Sequence, residues 1–282
     1  MKVIRSNTIG FCFGVANTVN IADECIALSE KEGLPCYSIG NLIHNKELVS
    51  HYTRLGMKSI NTPSEEEPGI ALIRAHGVPD KVKRDYVNAG FRVIDSTCPI
   101  VDRGASTLRK AAQNGIKTII IGIKEHAETI GLEGVEIAEG RRADSILITS
   151  LEDAKALADS GKLQKDEEIV VVVQTTFREE SFLAIRKYLK EKFRKIRFSN
   201  APCRATTLRT KAAMELAAKS DVMVVIGGKD SENTRNLAVK LKETGKPVYF
   251  IENEKDLDEN LRKNLSQYQC AGICSGSSTP TA

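Results

Sequence analysis

Residues 91–102, Phe91-Arg92-Val93-Ile94-Asp95-Ser96-Thr97-Cys98-Pro99-Ile100-Val101-Asp102, decide how this chain is read. A β-rich run through Phe91, Val93 and Ile94 ends at Asp95-Ser96-Thr97; Cys98 then precedes Pro99 and a helical pattern, VDRGASTLRKAA. Proline suits the first turn of a helix, where its missing N–H is no loss. Cys98 is therefore expected in a strand-to-helix turn with its sulfur near a helix N-terminus, a setting that favours the metal-binding thiolate.

The arrangement occurs twice more. VIRSN (3–7) leads through Gly10-Phe11-Cys12-Phe13-Gly14 into VANTVNIADECIALSE, and KIRFSN (195–200) leads through Ala201-Pro202-Cys203 into RATTLRTKAAMELAAKS. Cys12 and Cys98 are 86 positions apart, Cys98 and Cys203 105. That spacing exceeds a short-period solenoid and predicts three small α/β lobes that aim three thiols at one point. The bounds are 1–96, 97–198 and 199–282, with residues 1–13 able to pack with the third lobe. Strand-like runs at 34–39, 69–74, 118–122, 145–148, 168–173, 222–226, 247–251 and 270–273 alternate with helical patterns, which argues parallel sheets with right-handed crossovers.

Composition narrows the function. A chain of 282 residues, 41% hydrophobic, buries a sizeable core, and its 5% aromatic content without tryptophan argues against carbohydrate or base-stacking surfaces. A net charge of +4 on 41 basic and 37 acidic residues is mild and mixed, and calls for no nucleic acid. No apolar run approaches the ~18 residues of a membrane span, and MKVIRSNTIG reads as a first strand, not as a signal peptide. Seven cysteines without close pairing fit reduced thiols in a cytoplasmic protein.

Open α/β sheets bind ligands at strand carboxyl ends. His44-Asn45, His76-Gly77, His126 with Glu128, Thr175-Thr176, Ser231 with Asn233, and Ser277-Ser278 all fall at such ends. Imidazoles, hydroxyls, an amide and glycine-exposed N–H groups are phosphate-type ligands, and Glu128 is the single carboxylate at a tip beside a histidine. Against this, Ser and Thr at tips also serve as helix N-caps. His51 reads as an ordinary mid-helix residue, and Cys25, Cys36, Cys270 and Cys274 read as small buried hydrophobes. For Cys12, Cys98 and Cys203, structural zinc would want four ligands and usually a close pair, absent here. An iron–sulfur cluster with three thiolates and one open iron fits better.

The motifs GFCFGV (10–15), IHN (43–45), AHG (75–77), STCP (96–99), HAE (126–128), QTT (174–176), CRATT (203–207), GGKDSEN (227–233) and SGSSTP (275–280) span the chain nearly end to end. In identity and order the sequence resembles the 4-hydroxy-3-methylbut-2-enyl diphosphate reductase family of the methylerythritol phosphate route to isoprenoids. The resemblance implies a [4Fe–4S] cluster on Cys12, Cys98 and Cys203 at the centre of a trefoil of three pseudo-symmetric α/β lobes. It implies diphosphate binding by His44, His76, His126, Ser231, Asn233 and Ser278, hydroxyl orientation by Thr175, and catalysis by Glu128, Thr175 and His126. Two electrons, supplied by a ferredoxin or flavodoxin, and two protons would expel water and give isopentenyl and dimethylallyl diphosphates. Ala127, Ile123 and Glu232 depart from residues usual in that family, and the sequence ends at Ala282 where its members continue into a helix. Two other readings use the same residues: a non-catalytic iron–sulfur sensor, which has no need of Glu128, and a colourless zinc-dependent phosphate-ester hydrolase.

Overall fold

The computed structural model describes residues 1–281. The chain runs β1 (Lys2–Arg5), α1 (Phe13–Glu32), β2 (Cys36–Ile39), α2 (Lys46–Arg54), β3 (Met57–Ile60), β4 (Ile70–Ile73), α3 (Asp80–Asn88) and β5 (Arg92–Asp95). It continues with α4 (Pro99–Gln113), β6 (Lys117–Ile121), α5 (Ala127–Glu133), β7 (Glu136–Ala138), β8 (Arg141–Arg142), β9 (Ser145–Ile148), α6 (Leu151–Asp159), β10 (Glu168–Val173), α7 (Glu179–Lys192) and β11 (Lys195–Phe198). Then follow α8 (Arg204–Ala217), β12 (Val222–Ile226), α9 (Glu232–Lys242), β13 (Val248–Ile251), α10 (Glu259–Ser266) and β14 (Cys270–Ser275). Cys98 is the N-cap of α4 and Pro99 its first residue, as the opening stretch predicts.

The strands form three four-stranded sheets, ordered β3-β2-β4-β5, β9-β6-β10-β11 and β13-β12-β14-β1, and every neighbouring pair in them is parallel. Written this way, the sheets correspond strand for strand, and each of Cys12, Cys98 and Cys203 follows an edge strand (β1, β5 or β11). β1 pairs with the last strand, β14, so the first residues complete the third sheet. The small antiparallel β7–β8 pair is an exception to the parallel pattern, and neither it nor β3 was legible as a strand. The last strand also runs two residues further than its apolar pattern suggests, to Ser275, which places Cys274 inside it.

Contacts divide the chain into two compact units: residues 1–19, 41–55 and from 204 on, with the β13-β12-β14-β1 sheet; and residues 20–40 and 56–203, with the other two sheets. In the larger unit the middle sheet is buried on both faces. Ile119, Ile121, Val171 and Val173 face Ala154, Leu157, Phe182, Ile185 and Leu189 of α6 and α7, while Ile120 and Val172 face Leu108 of α4 and Leu132 of α5. Strands buried on two faces read as unbroken apolar runs, which is why Glu168–Val173 stood out. The other sheet there packs Tyr37, Ile39, Ala71 and Ile73 on Tyr86 and Phe91. In the smaller unit Met223 and Val225 pack with Leu237 and Leu241 of α9, and Val222 and Val224 with Leu265 of α10. Each fully buried aliphatic side chain contributes roughly 1.5–3 kcal/mol, so the strands are fixed and their carboxyl ends can carry polar loops.

Candidate active site

In the larger unit Thr175, at the tip of β10, joins the tip of β6 to the turn after β11. Its N–H donates to Glu128 Oε1 at 2.7 Å, its hydroxyl to Glu128 Oε2 at 2.6 Å, and its carbonyl accepts from the Cys203 N–H at 2.7 Å. Glu128 is 1% exposed. Burial pushes its carboxyl up to about 7, although the Thr175 hydroxyl and N–H pull the other way. A carboxylic acid that titrates near neutrality is suited to give and take a proton.

His126 is the N-cap of α5, and its Nδ1 accepts from the Glu128 N–H at 3.2 Å. That bond leaves Nε2 as the protonated, donating nitrogen of a neutral imidazole. The His76 ring meets the His126 ring edge-on, with centroids 5.6 Å apart at 84°. His76 lies in the turn after β4, where Gly77 has φ +71 and the Cys98 N–H donates to the Ala75 carbonyl at 2.9 Å. Two further residues hold these loops. Gln174, fully buried, accepts from the Ile123 N–H (2.7 Å) and the Thr129 hydroxyl (3.2 Å) and donates to Thr176 Oγ1 (2.7 Å). Asn200 closes on the Val173 N–H and C=O at 2.8 and 2.7 Å. Ile123 packs on the core of the middle sheet, so this departure is an apolar anchor for the loop.

In the smaller unit the Cys12 N–H donates to the Ser277 carbonyl at 3.1 Å. Thus all three cysteines are tethered alike: each N–H reaches the carbonyl of the residue two past the end of the neighbouring strand, Ala75 after β4, Thr175 after β10 and Ser277 after β14. His44 precedes Asn45, the N-cap of α2. Ser278 donates through Oγ to the His44 carbonyl (3.3 Å), and its own carbonyl accepts from Asn45 Nδ2 (3.2 Å). A Cβ on Gly228 would collide with the His44 carbonyl oxygen, so only glycine lets the β12 tip approach this loop.

Ser231 is indeed a helix cap, accepting from the Thr234 N–H of α9 at 3.4 Å, which still leaves its hydroxyl able to donate. Asn233 is nearly buried; Oδ1 accepts from the Ser277 N–H (3.0 Å) and Nδ2 donates to Thr206 (3.2 Å). Glu232 turns its carboxylate onto Arg235 at 2.7 Å, which neutralises the charge that would otherwise repel a phosphate. Below these tips Arg209 of α8 is 6% exposed and donates to the carbonyls of Gly10 (2.8 Å) and Ser275 (3.0 Å). Sequence assigns no role to Gln174, Asn200, Arg209 or Arg235. The first two fall within quoted stretches, QTT and KIRFSN, whereas a lone arginine in a helical pattern is indistinguishable from a solvated one.

The donor set fits an iron–sulfur cluster. Cys12, Cys98 and Cys203 are partly exposed at corresponding strand ends, in no disulfide. In contrast, burial pushes the thiols of Cys25, Cys36 and Cys274 up to about 12, 11 and 12, where they remain protonated. The three strand-end cysteines and the buried core cysteines are thus separated by exposure.

The family model described as LytB protein matches residues 3–282. The chain is 33% identical over 284 residues to the 4-hydroxy-3-methylbut-2-enyl diphosphate reductase of Clostridioides difficile, covering 99% of this chain and 95% of that protein. It is 32% identical over 281 residues to that of Aquifex aeolicus, covering 99% and 92%. Among solved structures it is similar to the E-1-hydroxy-2-methyl-but-2-enyl-4-diphosphate reductase of Plasmodium falciparum (TM-score 0.86, 25% identity, 99% and 84% covered). It is also similar to an (E)-4-hydroxy-3-methyl-but-2-enyl diphosphate reductase titled the terminal enzyme of the non-mevalonate pathway (TM-score 0.70, 31% identity, 99% and 95% covered). With its motifs in order and its full length matched, this chain belongs to the LytB family.

Proposed function

We propose that this protein reduces 4-hydroxy-3-methylbut-2-enyl diphosphate to isopentenyl and dimethylallyl diphosphates. The observation that carries the reading is the Glu128–Thr175–Cys203 connection: a buried carboxyl held near neutrality shares one residue with the loop of a candidate cluster thiol. Cys12, Cys98 and Cys203 would hold a [4Fe–4S] cluster, which would supply the electrons and a Lewis-acid iron. The three lobes at 1–96, 97–198 and 199–282, arranged as a trefoil about it, belong to the same proposal.

His44, His76, His126, Ser231, Asn233 and Ser278 hold the diphosphate, aided by the positive N-terminal ends of α2 and α9. Protonated Glu128 reverses its contact with Thr175, donating to Oγ1, so that the Thr175 hydroxyl proton turns to the substrate hydroxyl. The C–O bond breaks, the hydroxyl leaves as water with that first proton, and two electrons with one further proton complete the change. A small ferredoxin or flavodoxin in the cytoplasm delivers the electrons; among the described residues no helix is long and apolar enough to cross a membrane.

The test is anaerobic incubation of the hydroxylated diphosphate with protein and reduced viologen dye. Both prenyl diphosphates are the expected products. Recovery of unchanged substrate from protein carrying its full iron and sulfide would overturn the proposal.

A further inference from the structure

Arg209 is a buried cation that meets no carboxylate among the described residues. The residue is 6% exposed, and its guanidinium meets neutral partners: the Gly10 and Ser275 carbonyls at 2.8 and 3.0 Å, and Ser275 Oγ at 3.4 Å. Ser275 Oγ in turn accepts from the Gly10 N–H at 3.1 Å, so the side chain clasps the end of β14 to the turn two residues before Cys12. Burial holds the guanidinium below its usual range, and the groups that oppose this are the sulfurs of Cys12 and Cys274. A buried charge is costly unless it is paired. Cys274 cannot supply the opposite charge, since burial pushes its thiol up to about 12 and keeps it neutral. Geometry points to Cys12 instead: the guanidinium holds Gly10 and Ser275, and two residues past each of them the Cys12 N–H meets the Ser277 carbonyl at 3.1 Å.

We propose that Arg209 is the fixed counter-charge of the cluster at Cys12 and that it raises the cluster's reduction potential. The inference rests on the reductase reading only for the presence of the cluster. Three thiolates give an oxidised [4Fe–4S] unit one net negative charge, and one-electron reduction adds a second. A fixed cation in a low-dielectric setting stabilises the more negative state more, which is a known lever on cluster potentials. Two donating N–H groups on the backbone carbonyls keep that cation from swinging away, so Arg209 acts through Cys12 as a positioning residue.

The test is a redox titration without substrate, on anaerobically reconstituted wild type, Arg209→Gln and Arg209→Lys, following visible absorption and the spin signal of the reduced cluster. Iron per chain is counted first. In Arg209→Gln the ratio of reduced to oxidised cluster at a fixed potential is expected to fall at least tenfold, a downward move of about 59 mV for one electron. Arg209→Lys, which keeps the charge, should stay within about threefold of wild type, about half a decade on the same scale. Loss of iron confined to Arg209→Gln also supports the counter-charge. A Gln variant that titrates like wild type overturns the proposal, as do equal shifts in Gln and Lys or loss of iron from both, because shape and not charge would then be at work. Wild type that takes up no cluster is a separate outcome: it removes the reductase reading, and with it the object Arg209 would serve.

Discussion

Replacing Glu128 by glutamine keeps the side-chain shape and removes the proton. In the fold, burial pushes this carboxyl from 4.5 to about 7; the unfolded chain returns it to 4.5. Between those values the folded state binds the proton more tightly than the unfolded state. Its contribution to stability is therefore fully present below about pH 4.5 and is lost as pH rises through about 7. At about 1.4 kcal/mol per pH unit the loss amounts to roughly 3 kcal/mol. Glu128→Gln cannot lose it, so the variant should gain about 3 kcal/mol on wild type between pH 4.5 and pH 8. Urea unfolding of both proteins across that range measures the difference, and other titrating groups cancel because the two chains differ at one residue. The same proton is needed for chemistry: wild-type turnover should decline as pH rises above about 7, and Glu128→Gln should lose roughly 10²–10⁴-fold with its cluster intact. A stability difference that does not change with pH would refute the buried, titrating acid.

Cys12→Ser, Cys98→Ser and Cys203→Ser should each lose the cluster, because a hard oxygen replaces a soft thiolate, while Cys36→Ser should keep it; iron and sulfide analysis decides. His44→Ala and His76→Ala should weaken diphosphate binding by about 1.5–3 kcal/mol, as for a hydrogen bond to a charged group. Equal losses for the alcohol lacking the diphosphate would show that they are not phosphate ligands. Asn200→Ala strips both partners from the backbone of Val173 and should cost about 1–3 kcal/mol in denaturant unfolding, with Val173 exchanging its amide hydrogen sooner.

The framework of the fold was legible where local chemistry repeats. Pro99 after Cys98 marked a helix start, and the run Glu168–Val173 marked a doubly covered strand. β3, Met57–Ile60, was missed because its pattern is buried only at its two ends, with Lys58 and Ser59 exposed between them. The site residues at strand tips could be named because ligands gather at the carboxyl ends of parallel strands. What supports them could not. Gln174, Asn200 and Arg209 act through long-range contacts, Arg209 to Gly10 across 199 positions, and no periodicity records such a pairing. That Arg235, one helical turn on, holds the Glu232 carboxylate is likewise a side-chain pairing that the sequence does not declare.

The central claim is reductive removal of a hydroxyl at a cluster held by three repeated cysteines. Its most direct test follows dye oxidation and prenyl product together in wild type and Cys98→Ser under anaerobic conditions. Wild type should oxidise two equivalents of a one-electron dye per prenyl diphosphate formed, and Cys98→Ser should oxidise none. Product formed by iron-free Cys98→Ser, or iron-loaded wild type that consumes no electrons with the substrate, would contradict the account.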